Sequence, residues 1–352
     1  MSNVIQYGFG REYLKNWGLK EALREVYQNF LDFGTYHEDV KRVQTRQGVI
    51  LNVTLFNLYK PETLKFLKIG ASDKGDNLNA IGKHGEGLKM AAMIFNRNDL
   101  YFEIQAASNL VLPTFMEFEH LGECFAFTYE PVKDIGVFQV SFDIEERLFE
   151  DFKSGILQAD NHKVIFQHEE YGQLIDRAAG QIYVGGVYVC TVNGFKNSFN
   201  LLPRHVHLDR DRSMPRAFDV NWSTGQILGE YGRVKDYQAT DLNYREYEYV
   251  THIPKTVVEQ ITPKIVGNNI QFVTKTAEGV DVVITNDNAV NKLKEHSFFS
   301  KVLRKLREVI FKTLGVYELM EQFREKYVAG RGAEMEQEFD IIMQKYTNEK
   351  DQ

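Results

Sequence analysis

A glycine-rich segment that runs directly into an apolar helix constrains this 352-residue chain more than any other stretch. Within residues 67–92, the three glycines Gly82, Gly85 and Gly87 follow the pattern G-x-x-G-x-G, and apolar positions after them continue at helical spacing. Glycines allow successive backbone N–H groups to converge on an anion at a helix N-terminus, where the helix dipole is positive. The pattern therefore predicts either a phosphate-binding loop or a turn that serves packing alone.

The segment from Gly18 to Asp32 predicts an amphipathic helix with a second, polar stripe. Its apolar positions recur at i, i+4, i+7 and i+11, namely Leu19, Leu23, Val26 and Phe30. Glu25, Asn29 and Asp32 recur at i, i+4 and i+7 on another face. A solvated face is one interpretation of this stripe. Asparagine is a poor helix former, however, so its presence inside a helix also favours a specific role.

The order of the predicted elements favours an α+β fold. Residues 47–57 predict a strand, residues 61–68 a short helix, and residues 88–95 an apolar helix. Four more strands are predicted, at residues 100–107, 111–119, 125–129 and 137–144. We expect an α+β sandwich, in which one mixed sheet is covered on one face by helices.

The second half of the chain predicts further domains. Residues 145–161 are helical and charged, and a second α/β unit begins near Lys163. Hairpins are predicted within residues 181–191 and 270–285, around the turns Gly185-Gly186 and Glu278-Gly279. Residues 288–327 predict helices. The predicted domains are 1–150 for the first sandwich, 160–285 for the second α/β domain and 286–352 for a helical region with an acidic tail.

Composition restricts the class of protein. Hydrophobic residues make up 43% of the chain and the formal net charge is −7, so we expect a folded protein without a global basic field for nucleic acid. Two distant cysteines, Cys124 and Cys190, argue against a disulfide framework and a cysteine zinc site. No signal-peptide pattern or long apolar run is present, and we expect a cytoplasmic location without membrane contact. The basic block at residues 291–312 predicts a solvated face or, alternatively, nucleic-acid binding.

Taken together, Glu25-x-x-x-Asn29-x-x-Asp32, a strand that ends at Asn57 and Gly82-x-x-Gly85-x-Gly87 resemble motifs of the GHKL superfamily. These ATPases have the Bergerat nucleotide-binding fold and include gyrase B, the ninety-kilodalton heat-shock chaperones, MutL, MORC proteins and sensor histidine kinases. The resemblance covers about residues 10–145. It implies ATP as ligand, Mg²⁺ as cofactor, a transducer-like second domain and homodimer formation on ATP, and leaves any protein or nucleic-acid partner unnamed.

The resemblance also implies roles for individual residues. Glu25 would polarise the attacking water, and Asn29 would ligate Mg²⁺, for which its neutral oxygen is suited. Asp32 is either a hydrogen-bonding partner of the site or an ordinary surface carboxylate. Lys89 would neutralise phosphate charge. The remaining candidates for nucleotide contact are Asn57, Lys74, Gly82, Lys83, His84, Gly85, Glu86, Gly87 and Leu88.

One motif departs from the family pattern. The family has Asp-x-Gly-x-Gly after a strand, whereas residues 57–61 here are Asn-Leu-Tyr-Lys-Pro. Asn57 can accept a hydrogen bond from the amino group of adenine through its carbonyl oxygen, but the stronger bond to a carboxylate is lost. An alignment shifted to Asn52 is an alternative, and the preference for a base stays open.

Residues 204–216 form the densest polar run of the second half. A basic residue that reaches back to the γ-phosphate could be Arg210, Arg212 or Lys196, and the alternative is a loop whose charges pair with one another. The motif His205-x-His207-x-Asp209 is also compatible with a metal ligand set on one strand face.

The function that the sequence predicts is an ATP-dependent conformational switch, with a lid at about residues 70–84 and slow Mg²⁺-dependent hydrolysis through Glu25. The alternative is a non-hydrolysing nucleotide-binding or interaction module. The missing Asp-x-Gly-x-Gly motif favours the second interpretation. The presence of Glu25 favours the first, because a pure binding module has no need of a positioned base.

Overall fold

A computed structural model describes most of the chain. The described residues are 3–46, 48–58, 61–69, 85–159, 162–208, 215–266, 269–295, 302–303, 305–306, 309–310, 315–328, 332 and 335–340. The chain separates into two compact units, Met1–Ile227 and Leu228–Gln352. The three-domain division drawn from the sequence stays a prediction.

The first unit is built on a seven-stranded sheet with the order β1-β6-β5-β4-β7-β3-β2. Its strands are β1 (Asn3–Gln6), β2 (His37–Thr45), β3 (Gly48–Asn57), β4 (Phe102–Ala106), β5 (Asn109–Phe118), β6 (Gly122–Pro131) and β7 (Phe138–Glu145). All neighbouring strands pair antiparallel. The sheet is therefore antiparallel throughout rather than mixed as predicted: short turns join the pairs β2–β3, β4–β5 and β5–β6, and the long-range pairs β1–β6, β4–β7 and β3–β7 are antiparallel as well.

Three helices belong to this sheet: α1 (Leu19–Asp32), α2 (Gly87–Arg97) and α3 (Glu146–Lys153). Alternate residues of β3, such as Val53 and Leu55, are buried in one core with both α1 and α2. Phe95 of α2 packs against Phe142 of β7 with ring centroids 5.1 Å apart. Because successive strand residues point to opposite faces, the helices cover one face of the sheet only. The predicted α+β sandwich is confirmed.

The boundaries of α1 follow from local chemistry. At its start, the backbone N–H of Gly18 donates to the side chain of Glu21 at 2.8 Å, which satisfies a donor that the helix itself cannot pair. At its end, Gly34 has φ +100° and its N–H donates to the carbonyl of Leu31 at 3.2 Å. The predicted helix is therefore confirmed, and its apolar stripe is buried at Leu23, Val26 and Phe30.

Most predicted strands of this unit are present, but two strands were not predicted. β1 has four residues and β2 is exposed along almost its whole length. Residues 61–68 contain a 3₁₀ turn at Leu64–Leu67 instead of an α-helix. The N–H of Lys65 in that turn donates to the hydroxyl of Thr63 at 3.3 Å.

A second sheet of the same unit follows α3. Its strands are β8 (Lys163–His168), β9 (Gly172–Asp176), β10 (Gln181–Val184), β11 (Val187–Thr191) and β12 (Ser198–Leu201), in the order β11-β10-β12-β9-β8. β10 and β12 are parallel, so this sheet is the mixed one. The predicted turn at Gly185-Gly186 is confirmed, with φ +58° and +86°. These left-handed angles are those that a two-residue hairpin needs.

The second unit begins within α4 (Ala217–Val234) and continues through α5 (Lys255–Val258). Its three-stranded sheet contains β13 (Thr262–Val266), β14 (Asn269–Lys275) and β15 (Asp281–Val283), and the helices α6 (Asp287–Glu295) and α7 (Val316–Phe323) follow. The predicted hairpin around Glu278-Gly279 is confirmed, with φ +82° at Gly279. Within the described ranges, no helix is long and apolar enough to cross a membrane.

Candidate functional site

The polar stripe of α1 lies against the first turn of α2. Glu25 has only 2% of its surface exposed. Gly87 is the first residue of α2, and a Cβ placed on it would lie 1.9 Å from Oε2 and 2.9 Å from Cδ of Glu25. The carboxylate therefore occupies the space that a side chain at position 87 would need. Glycine at position 87 permits this close approach of the Glu25 carboxylate to the start of α2.

Asn29 lies one turn after Glu25 and is oriented by the helix itself. Its Nδ2 donates to the backbone carbonyl of Glu25 at 2.8 Å. This hydrogen bond uses the NH₂ group of the side chain and leaves its oxygen Oδ1 as the atom that can bind a cation. A neutral amide oxygen is a ligand that Mg²⁺ accepts readily. The structure thus places a carboxylate and an amide oxygen on successive turns of one helix face.

Lys89 connects the first turn of α2 to the residues before that helix. The side chain is 2% exposed, and its ammonium group donates to the carbonyl of Gly85. Gly85 has φ +62°, a left-handed conformation that favours glycine. Lys89 therefore keeps a positive charge close to the start of α2. Its predicted role in neutralising phosphate stays a prediction.

The end of β3 distinguishes Asn57 from Asn52. Asn57 is the last residue of β3, is 2% exposed and pairs with Phe138 of β7. Asn57 is two residues after Leu55, and side chains alternate between the two faces along a strand. Its side chain therefore lies on the same helix-covered face as that of Leu55. Asn52 points to the other face, where its Nδ2 donates to Asp143 at 2.9 Å. Asn52 therefore lies on the face of the sheet away from α1 and α2, and the alignment shifted to it stays a prediction.

The other predicted residues have varied positions. Asp32 is the last residue of α1 and is half-buried, as is Glu86, which directly precedes α2. Leu88 packs in the core, so only its backbone can contact a ligand. Four candidates lie outside the described residues, namely Lys74, Gly82, Lys83 and His84.

Gln28 is a polar residue of this helix face that the sequence analysis did not select. It follows Glu25 by three positions and is 3% exposed. Its buried Oε1 accepts no hydrogen bond within the described part of the chain. Buried acceptors are normally paired, so this oxygen is a further group that a ligand or water could satisfy. The i+3 spacing from Glu25 was the signal that could have identified it.

A polar cluster beside the stripe joins α1 to two other elements. The hydroxyl of Tyr27 in α1 donates to Glu38 of β2, and Lys153 of α3 lies 2.7 Å from the same carboxylate. The ammonium of Lys153 also lies 4.9 Å from the centre of the Tyr27 ring. Burial, followed by the charge of Glu38, raises the pKa of Tyr27 well above its usual value. These contacts fix the rotation of α1 and hence the direction of its polar stripe.

The polar run of the second half shows separate pairs. His205 packs on Tyr171 with ring centroids 4.5 Å apart, and its pKa is lowered by burial and by the charge of Arg204. His207 instead contacts Asp219, with Nδ1 2.9 Å from the carboxylate. The described residues contain no cluster of three or more His, Cys, Asp or Glu that could hold a metal ion. Of the other candidates, Lys196 is exposed, while Asp209, Arg210 and Arg212 lie outside the described residues.

Comparisons with known proteins add little. No family model matches this chain, and no curated protein matches it. Among solved structures, the ATPase region of Saccharomyces cerevisiae topoisomerase II is similar to this chain, with 10% identical residues and a TM-score of 0.37. The likeness covers 56% of this chain and 77% of that chain. At this distance the function has to be argued from the residues themselves.

Proposed function

We propose that the first unit is a GHKL-type module that binds ATP with Mg²⁺ and hydrolyses it slowly, and that bound nucleotide switches the conformation of the chain. One observation carries the proposal: the carboxylate of Glu25 is buried against Gly87 at the N-terminus of α2. Carboxylates are rarely buried, because desolvation of the charge is costly. A buried carboxylate beside a helix N-terminus, where anions also bind, has the position of a general base next to a phosphate.

The residues nearby fit the needs of a nucleotide triphosphate. The N–H groups of Gly87 and Leu88, the first two residues of α2, would bind phosphate oxygens, since backbone donors at the start of a helix have no acceptor four residues earlier in it. Glu25 would accept a proton from the water that attacks the γ-phosphorus. Lys89 would contribute positive charge close to the first turn of α2. Each of these roles uses a group that lies within the first two turns of α2 or faces them from α1.

The residues also fit a magnesium ion. Mg²⁺ keeps several waters and takes oxygen ligands from phosphates, so one or two protein oxygens are enough. Asn29 would supply one through Oδ1, whose orientation is set by the bond from Nδ2 to the carbonyl of Glu25. When bound, the ion would offset the negative charge that the phosphates carry.

A second candidate function is nucleotide binding without hydrolysis. It is favoured by the end of β3, where the buried Asn57 offers a neutral amide instead of a carboxylate. Residues 58–61, which follow it, are Leu-Tyr-Lys-Pro, so this part of the chain lacks the glycines that allow close approach to a base. With weaker recognition of the base, the module would bind nucleotide without hydrolysing it.

Two measurements on the full chain separate these functions. Calorimetry with ATP, ADP and GTP, with and without Mg²⁺, measures binding, and a phosphate-release assay measures hydrolysis. We expect Glu25→Gln to keep ATP affinity within a few-fold and to slow phosphate release by about 100-fold or more, the contribution of a general base. Glu119→Gln, which changes an exposed carboxylate, is the matched control and should change neither quantity.

The possible results are distinct. Phosphate release that is unchanged in Glu25→Gln would remove Glu25 as the base. Binding by the unmodified chain without any phosphate release would favour the second candidate function. A chain that binds none of the three nucleotides would contradict both.

A further inference from the structure

The edge strand β2 presents an unusual surface. Eight of its nine residues are exposed, and Val40 and Val43 are 40% and 48% exposed. Within the described residues, β2 pairs with β3 and with no other strand. Its outer edge therefore has backbone N–H and C=O groups that a further strand could pair with.

The charges of β2 are self-complementary. The order Glu38-Asp39-Val40-Lys41-Arg42 places two acids before the central valine and two bases after it. When two copies of β2 lie antiparallel with Val40 opposite Val40, Asp39 of each copy faces Lys41 of the other. Glu38 then faces Arg42. Registers shifted by two residues instead place Lys41 opposite Lys41 or Asp39 opposite Asp39, and like charges directly opposite one another are destabilising.

The two faces of β2 contribute differently. Asp39 and Lys41 lie on the face away from the helices, 3.8 Å apart, with side chains 59% and 72% exposed. An ion pair this exposed is worth little, so its exchange for a pair with a second copy costs little. Glu38 and Arg42 lie on the helix-covered side and already pair with residues of α3. Asp39 and Lys41 therefore determine the register.

We infer that two copies of this chain join through β2, antiparallel and in register at Val40, to form one continuous sheet. Charged residues on a sheet edge usually prevent such pairing. Charges that serve only protection have no need to be arranged symmetrically about an apolar centre, whereas charges that select a second copy do. The homodimer forms without nucleotide, and the inference is independent of the proposed ATP site.

Sedimentation equilibrium of the full chain without nucleotide tests the inference. We expect the unmodified chain to show a concentration-dependent equilibrium between monomer and dimer. Asp39→Lys and Lys41→Glu should each raise the dissociation constant of the dimer by about ten-fold or more, because each puts two pairs of like charges in contact. Lys255→Glu, a charge reversal at another exposed ion pair, is the control and should leave the dissociation constant unchanged.

Mixing gives the decisive result. In an equimolar mixture of Asp39→Lys and Lys41→Glu chains, the two substituted positions face each other with opposite charges, and the unchanged Lys41 of one chain faces the unchanged Asp39 of the other. Heterodimers should therefore form with about the original affinity. A chain that carries both changes should also dimerise. Circular dichroism checks that every variant is folded. A chain that is monomeric at all concentrations, a dimer that requires ATP, or single variants that do not recover on mixing would overturn the inference.

Discussion

The carboxylate of Glu25 in α1 limits which residue fits at position 87, the first residue of α2. Glu25 of α1 fills the space beside Gly87, where a Cβ would lie 1.9 Å from its Oε2. In the absence of that contact, alanine is the better helix residue, by about 0.5–1 kcal/mol over glycine. The effect of an alanine at position 87 therefore depends on whether the Glu25 side chain is present.

This dependence is a testable prediction at the residue scale. Gly87→Ala should lower the free energy of unfolding by about 1–3 kcal/mol, because the added methyl group displaces a buried carboxylate. In a Glu25→Ala chain, the same substitution should be neutral or stabilising by up to about 1 kcal/mol. Urea unfolding of the four chains measures the coupling. Gly8→Ala, where a Cβ meets nothing within 4 Å, is the control.

Additive effects of the two substitutions would contradict the close contact between Glu25 and Gly87.

The sequence predicts the stripe of Glu25 and Asn29 because helical spacing alone puts them on one face. It does not predict the burial of Gln28 or the close contact between Gly87 and the carboxylate of Glu25. Both depend on how closely α1 and α2 approach, and side-chain periodicity carries no information about that distance.

At the scale of elements, the short helix α3 is held to β2 and to α1 by ion pairs of unequal exposure. Lys153 and Glu38 have side chains only 18% and 21% exposed, whereas Lys20 and Asp151 are 56% and 59% exposed. A buried partner left alone loses both its ion pair and its hydration, while an exposed one is solvated again by water. The two pairs should therefore respond differently to the loss of a lysine.

We expect Lys153→Met to lower the free energy of unfolding by about 1–3 kcal/mol, since Glu38 would keep a partly buried charge without its cation. Lys20→Met removes the lysine of the exposed pair and should have little effect. Equilibrium unfolding in urea, with equal slopes checked for both variants, measures the difference. Equal losses in the two variants would show that burial of the Lys153 pair adds nothing.

Elements that depend on a few neighbouring residues could be predicted from the sequence, whereas elements that depend on distant partners could not. The turns at Gly185-Gly186 and Glu278-Gly279 were predicted because left-handed backbone angles belong to glycine in those few residues. β2 was missed because its residues are almost all exposed, so no alternation of apolar and polar residues marks it. β1 is short and pairs with residues 126–129, a partner far along the chain.

At the scale of the whole molecule, tyrosines with raised pKa values make the stability of both units depend on pH. Burial raises the pKa values of Tyr7, Tyr36 and Tyr237, and burial with the charge of Glu38 raises that of Tyr27. The folded state therefore holds these protons more tightly than the unfolded chain, whose tyrosines titrate near pH 10. Their contribution to stability is complete below about pH 10 and is lost as the pH rises above it.

We therefore expect the free energy of unfolding to fall steeply above about pH 10. Tyr7→Phe should reduce the slope of that fall, because one proton fewer is released on unfolding. Tyr188→Phe, at a tyrosine that is 37% exposed, is the control. Urea unfolding at pH 8 to 11, with tyrosine ionisation followed by absorbance, measures both effects. A slope that is the same in Tyr7→Phe as in the unmodified chain would contradict the assignment to Tyr7.

The strand order of the first sheet also determines when it can assemble on the ribosome. β3 pairs with β7, and the hydrogen-bonded residues Asn52 and Asp143 are 91 positions apart. A nascent chain that ends before β7 thus has only the hairpin of β2 and β3 at this side of the sheet. Such long-range pairing slows folding and exposes unpaired strands to contact with other chains. The hairpin that carries Val40 is consequently the first paired part of this sheet that neighbouring nascent chains on one messenger RNA can encounter.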